Sequence, residues 1–333
     1  MGSTFSVRGR FLLLAAWSLG FASALAAGAD PALPAYVAQS LSAEGSPGTA
    51  TTMTIFGYND MKDLLEPLVR RFSAAHPGLE VALDLPGTRF APAALASGRA
   101  ALAPMGATLT PPQREAYRAE AGHDPIEFRV AHASVDPRAL SGPLGIFVHA
   151  DNPVASLTLA QLASAYSGRS TRWGELGATG VWAERPVHLV GLQPGTALFH
   201  EMHEALPGAE PFATTMLGLP QSRTVVERVG ADPLALGYAA AMRVTPRVRN
   251  VAVARDDAHA AVLPTEETIT GGRYPLDRWL LIYARRPLTP RAREFMRLML
   301  SREGQEAVAA TPQHYLPLSA AEAAAERAKL DRP

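Results

Sequence analysis

The chain has 333 residues, with 31 Lys and Arg balanced by 31 Asp and Glu, and it contains no cysteine. That length predicts about two globular units, and balanced charge without like-charge blocks argues against nucleic acid or an anionic membrane surface as a partner. Lack of cysteine excludes disulfides, thiolate metal sites, a thiol nucleophile and a lipidated N-terminal Cys, so a freely soluble mature protein is expected.

At the N-terminus, Arg8 and Arg10 precede the apolar run from Phe11 to Phe21, and small residues follow from Ala22 to Gly28. A basic region, a short apolar region and an Ala-x-Ala-like site form the pattern of a cleaved export signal over residues 1–27. The competing membrane anchor needs about 20 apolar residues, which this run does not supply. The periplasm is the expected destination. Residues 28–50, rich in Ala, Ser, Pro and Gly, read as a linker.

Strand candidates then follow at 53–56, 79–83 and 100–103, separated by helical periods over 61–72 and 92–97. That alternation predicts an α/β architecture with parallel strands. Further on are a helix at 112–121, strands at 126–130 and 144–148, a helix at 159–166, a strand at 187–190 and a helix at 197–205. Later elements are a helix at 222–229, strands at 236–239, 251–253 and 279–283, and a helix at 290–300. The tail from Ala320 to Lys329 has little apolar face and reads as a solvated helix, with a partner contact as the lesser alternative.

Several motifs occur in a definite order. They include Leu159 to Trp173, Ala235-Leu236-Gly237-Tyr238-Ala239 and Gly272-Arg273-Tyr274-Pro275-Leu276-Asp277-Arg278. Ser301-Arg302-Glu303-Gly304-Gln305 and Tyr315-Leu316-Pro317-Leu318 follow. Together, over residues 53–318, they resemble the substrate-binding proteins of bacterial phosphate ABC transporters. The resemblance implies a two-lobed, venus-flytrap-type periplasmic binding protein, each lobe a mixed sheet flanked by helices. It implies a first lobe of residues 50–138 plus 245–318, a second lobe of 139–244, a two-stranded hinge and a helical tail at 319–333.

The resemblance also implies four loops around a tetrahedral oxyanion. The first, Gly57-Tyr58-Asn59-Asp60, offers backbone N–H groups and the Asn59 amide, while Asp60 and Asp63 suit helix N-capping better than anion contact. The second, Gly87-Thr88-Arg89-Phe90, offers the Thr88 hydroxyl and the Arg89 guanidinium, although Arg89 reads equally well as a solvated surface residue. In the third, Gly106 stands where the family carries a proton-accepting Asp. Thr108 is either a substitute contact or a helix cap. In the fourth, Gln193-Pro194-Gly195-Thr196, the residues Gly195 and Thr196 match, but Pro194 has no N–H to donate and the family Arg falls on Val190. The candidate ligand set is therefore Tyr58, Asn59, Thr88, Arg89, Gly106, Thr108, Gly195 and Thr196.

Other chemistry has little support. His200-Glu201-Met202-His203 places two imidazoles three residues apart, but the His-Glu-x-x-His of zinc proteases is absent, as are nucleophile-elbow, P-loop and dinucleotide motifs. Trp173, Tyr238, Trp279 and Tyr283 read as core or hinge packing. The expected protein is a monomeric, cofactor-free solute-binding protein, not an enzyme. It would capture phosphate or a similar small oxyanion and deliver it to an inner-membrane ABC permease. A diverged scaffold with another ligand, or with a sensory or structural role, is the first alternative, and a periplasmic hydrolase the second.

Overall fold

The computed structural model describes residues 28–41, 52–208 and 210–331; the expected export signal lies outside them. From the N-terminal side the chain forms β1 (Thr52–Phe56), α1 (Lys62–Ala75), β2 (Glu80–Asp84), α2 (Ala91–Ala96), β3 (Leu102–Met105), α3 (Pro111–Ala121) and β4 (Ile126–His132). It continues through β5 (Leu144–His149), β6 (Ser156–Thr158), α4 (Leu159–Tyr166), β7 (His188–Leu192), α5 (Ala197–Ala205), β8 (Leu217–Leu219), α6 (Ser222–Gly230) and β9 (Ala235–Ala240). The last elements are β10 (Val248–Asn250), β11 (Ala252–Ala254), α7 (Glu266–Thr270), β12 (Trp279–Ala284), α8 (Pro290–Met299), α9 (Arg302–Ala309) and α10 (Ala320–Arg327).

Two five-stranded mixed sheets result, ordered β2-β1-β3-β12-β4 and β10-β5-β9-β7-β8, with β11 and β6 forming a small parallel pair. In the first sheet, β1 runs parallel to β2 and β3, while β12 inserts antiparallel between β3 and β4. In the second, β7 runs parallel to β8 and β9, and β5 runs antiparallel to β9 and β10. Each sheet has its own apolar core. Ile55, Leu64, Leu68, Phe72, Phe128 and Phe295 belong to the first core; Ile146, Phe147, Leu162, Tyr166, Trp173 and Tyr238 belong to the second.

Local chemistry explains many element boundaries. Thr110 with Gln113, Thr158 with Gln161 and Ser319 with Glu322 form reciprocal capping boxes at the starts of α3, α4 and α10. Each satisfies backbone N–H groups that a helix start leaves without partners.

The chain passes between the lobes twice. The outward segment, residues 133–143, lies beside the return at 277–278, joined where Ala133 N donates to Arg278 O at 2.8 Å. The return comes later than the expected boundary near residue 245. β10 pairs with β5, β11 pairs with β6, and Ile269, Tyr274 and Leu276 are buried in the second core. Strand pairing and apolar burial thus keep residues 245–276 with the second sheet.

Two other expectations need correction. Part of the presumed linker packs on the first lobe: Leu33 is buried in its core, and Tyr36 donates from its hydroxyl to Glu294 at 2.7 Å. The tail is not a solvated helix either, because Ala323 and Leu330 enter the same core and Glu326 accepts from Arg129 N at 3.0 Å. Trp173, Tyr238 and Tyr283 are buried, while Trp279 stacks on His132 at 4.1 Å between ring centroids.

Candidate functional site: the interlobe cleft

Three of the four expected loops leave the carboxyl ends of neighbouring strands, where open α/β sheets place their ligands. Gly57 N donates to Asp84 O at 3.1 Å, Gly87 N to Gly57 O at 2.8 Å, and Tyr58 N to Pro104 O at 2.9 Å. Gly57 is required here, since a Cβ would stand 2.3 Å from the Pro104 carbonyl oxygen.

The side chains behave differently from the anion cage that the family pattern implies. The Tyr58 ring lies over Gly106, where an added Cβ would come 2.5 Å from Tyr58 Cε1. Its hydroxyl donates to Asp60 Oδ2 at 2.6 Å and shares a hydrogen bond with Ser141 Oγ, on the outward crossing segment, at 2.7 Å. Burial pushes the Tyr58 phenol up to about 12. Asn59 turns its amide to Asp60 Oδ1 at 2.9 Å. Asp60 therefore serves Tyr58 and Asn59 instead of capping a helix, and the turn at Asn59–Met61 has no side-chain cap bond.

In the second loop Arg89 is exposed and stacks on its neighbour Phe90, with its guanidinium carbon 4.4 Å from the ring centroid. Thr88 makes no side-chain hydrogen bond among the described residues. The fourth loop is largely exposed. Thr196 is occupied locally, its hydroxyl donating to Gln193 O at 3.0 Å and accepting from Phe199 N at 3.3 Å to start α5. Gly195 supplies the left-handed turn, with φ +89°. Val190 is buried in the second core. Thr108 does not cap α3, a task taken by Thr110; it donates instead to Glu204 Oε2 on α5 at 3.0 Å, across the lobes.

The centre of the cleft is Arg278, on the return crossing. Only 9% of it is exposed. Its Nε donates to Glu201 Oε1 on α5 at 3.0 Å, and one terminal nitrogen donates to the Gly106 carbonyl. Burial would lower the Arg278 pKa, but Glu201, together with Tyr58 and Tyr315, offsets this and raises it; burial raises the Glu201 carboxyl despite its partner. Beside this pair is a cavity of about 240 Å³ lined by Thr108, Glu127, Arg129, Glu201, Glu204, Asp277 and Arg278 among others.

Of the eight expected ligand residues, Tyr58, Gly106 and Thr108 meet at the cleft, whereas Asn59 is engaged by Asp60, Thr88 and Arg89 stay outside these contacts, and Gly195 and Thr196 act through the start of α5. Arg278, Glu201 and Glu204 are the cleft residues that sequence reasoning missed. All three were in view, Arg278 within a family motif and the two acids within or beside the His-rich stretch of α5. Among the described residues no group of three His, Asp or Glu could hold a metal ion. His200 faces Glu204 at 3.4 Å, while His203 packs against Phe212.

Residues 42–303 match the family model for the PBP superfamily domain. The chain is 31% identical over 323 residues to the phosphate-binding protein PstS of Pseudomonas aeruginosa strains PAO1 and UCBPP-PA14, covering 93% of this chain and 94% of that protein. Among solved structures, an ABC-type phosphate transport receptor from Vibrio cholerae has 21% identity and a TM-score of 0.56, covering 79% of this chain and 99% of its own. PstS from Borrelia burgdorferi has 17% identity and a TM-score of 0.57, covering 80% of this chain and 99% of its own. These structural matches bear on fold: two lobes, each a mixed sheet flanked by helices. The chain belongs to the PBP superfamily, in the family of the phosphate-binding protein PstS.

Proposed function

We propose that this protein is a periplasmic solute-binding protein that captures phosphate or a similar small oxyanion between its lobes and presents it to an ABC permease. Its kinship with PstS over nearly the whole chain supports the class of solute. The observation that carries the location is Arg278, a buried cation placed between the third loop and α5. A guanidinium suits oxyanion oxygens, and closure of two lobes around it would signal occupancy to a membrane partner. Arg278 thus replaces Arg89 as the principal cation of the site. Residues 1–27 would direct export and be removed. No helix among the described residues is long and apolar enough to cross a membrane. Catalysis is not part of this reading.

Thermal unfolding of the purified mature protein in phosphate, sulfate and small carboxylates tests it. Phosphate at 100 times its Kd should add about 2.7 kcal/mol of stability. No shift at millimolar phosphate would overturn the assignment. One observation favours a second reading, a diverged binding scaffold with another ligand or a sensory role: the cavity beside Arg278 is lined by Glu127, Glu201, Glu204 and Asp277. A shift with a solute other than an oxyanion would select it.

A further inference from the structure

The cation at the centre of the cleft already has an anionic partner, supplied by the protein. We infer that Glu201 is an internal ligand: it occupies the oxyanion's place on Arg278, closes the cleft without solute, and must be displaced before an external anion can bind.

A buried guanidinium without a counter-charge is strongly unfavourable, so an anion is required at Arg278 in the closed form. Glu201 meets that need. Its side chain is 14% exposed, and both carboxylate oxygens lie 3.0 Å from Arg278 Nε. Only Oε1 is aligned for a hydrogen bond, leaving Oε2 buried without a partner. The neighbouring Nη2 on the same edge of the guanidinium is spent on the Gly106 carbonyl, so the Nε–Nη2 fork is not open to a tetrahedral anion.

The element carrying Glu201 is placed for this role. Glu201 and Glu204 are three apart on α5, hence neighbours on one helix face, and both reach across the cleft, to Arg278 and Thr108. The Tyr58 ring covers Gly106, whose carbonyl accepts from Arg278, and so walls that side of the guanidinium. A dianion entering the side cavity would also meet Glu204 and Asp277. It can reach Arg278 only as the α5 carboxylate leaves, and α5 belongs to the second lobe. Ligand exchange and lobe opening are therefore one event.

The identity of the displacing solute rests on the proposed function; closure by Glu201 does not. Small-angle scattering on the mature protein separates the two. Without solute, the wild type should scatter as a compact particle, and Glu201→Gln should show a measurably larger radius of gyration. Calorimetric titration should then give Glu201→Gln a phosphate Kd at least about tenfold tighter than wild type, a gain of about 1.4 kcal/mol, with compaction on binding. Identical scattering of the two solute-free proteins would overturn the internal-ligand inference. If Glu201→Gln expands but millimolar phosphate neither binds nor compacts it, closure by Glu201 stands and the phosphate assignment falls. Should Glu201→Gln fail to fold by circular dichroism, Glu201→Asp, which withdraws the carboxylate by one methylene, is judged by the same scattering criterion.

Discussion

Gly106 carries more structural demand than a loop glycine ordinarily would, because the Tyr58 ring rests on the face where a side chain would project. An added Cβ would stand 2.5 Å from Tyr58 Cε1 and 2.7 Å from its Cζ, and the ring cannot swing away without breaking its bonds to Asp60 and Ser141. Gly106→Ala should therefore destabilise the protein by roughly 1–3 kcal/mol, the usual cost of overpacking a filled site. Urea unfolding checks this, and Tyr58→Leu in the same chain should recover part of the loss. The family resemblance implies an acid at this position; in the structure the space above Gly106 belongs to Tyr58, which the sequence offered as a candidate ligand and not as a packing partner. Arg278 and Glu201 escaped notice for a related reason. They are 77 positions apart in the chain, and neither periodicity nor local spacing reports a pair formed across two lobes.

At the scale of elements, α10 is secured to the first lobe by a buried charge. His132, fully buried at the end of β4, has Nδ1 2.7 Å from Asp277 Oδ2 and Nε2 3.4 Å from Glu322 Oε2 on α10. Burial by itself would lower the imidazole pKa, but the two carboxylates outweigh it and push His132 from 6.5 up to about 9. The folded state therefore binds this proton more tightly than the unfolded chain. The resulting stabilisation, up to roughly 3 kcal/mol, is complete below pH 6.5 and is lost as pH rises through about 9. Urea midpoints measured between pH 6 and 10 should fall more for wild type than for His132→Gln, and parallel profiles would refute the charged-imidazole account. The tail was misjudged from sequence because its apolar positions are mostly alanine, which adds little hydrophobicity yet allows close approach, as at the fully buried Ala323. Helices with clear chemical starts were legible: α4 and α5 were placed to the residue at both ends. Of the three-residue strands, β11 was legible from its apolar run, but β6, β8 and β10 were not, since so short a segment with a mixed composition shows no alternation and exists only through its partner.

Across the whole molecule, the two cores draw on the chain in different ways. The first joins residues from Leu33 to Leu330, so it cannot be completed until β12 and the C-terminal helices arrive. The second is assembled almost entirely from residues 144–276, with Leu316 the buried member from outside. The motif order revealed two lobes, but placing the return near 245 hid this asymmetry, because residues 248–276 are tied in by strand pairs and aromatic burial with no sequence punctuation to mark them. A fragment of residues 142–276 should consequently fold alone, being of ordinary domain size with a continuous core. Tyr274 supports this, since it is buried in that core and its hydroxyl donates to Leu144 O at 2.6 Å, joining the two ends of the fragment. Cooperative urea unfolding, with a near-ultraviolet signal from the buried Trp173, is the expected result. Ending the fragment at 244 removes β10, β11, Tyr274 and Leu276 together, and that shorter piece should lose both the signal and the cooperativity. Equal behaviour of the two fragments would mean that residues 245–276 contribute little to the second lobe, against the strand pairing that places them there.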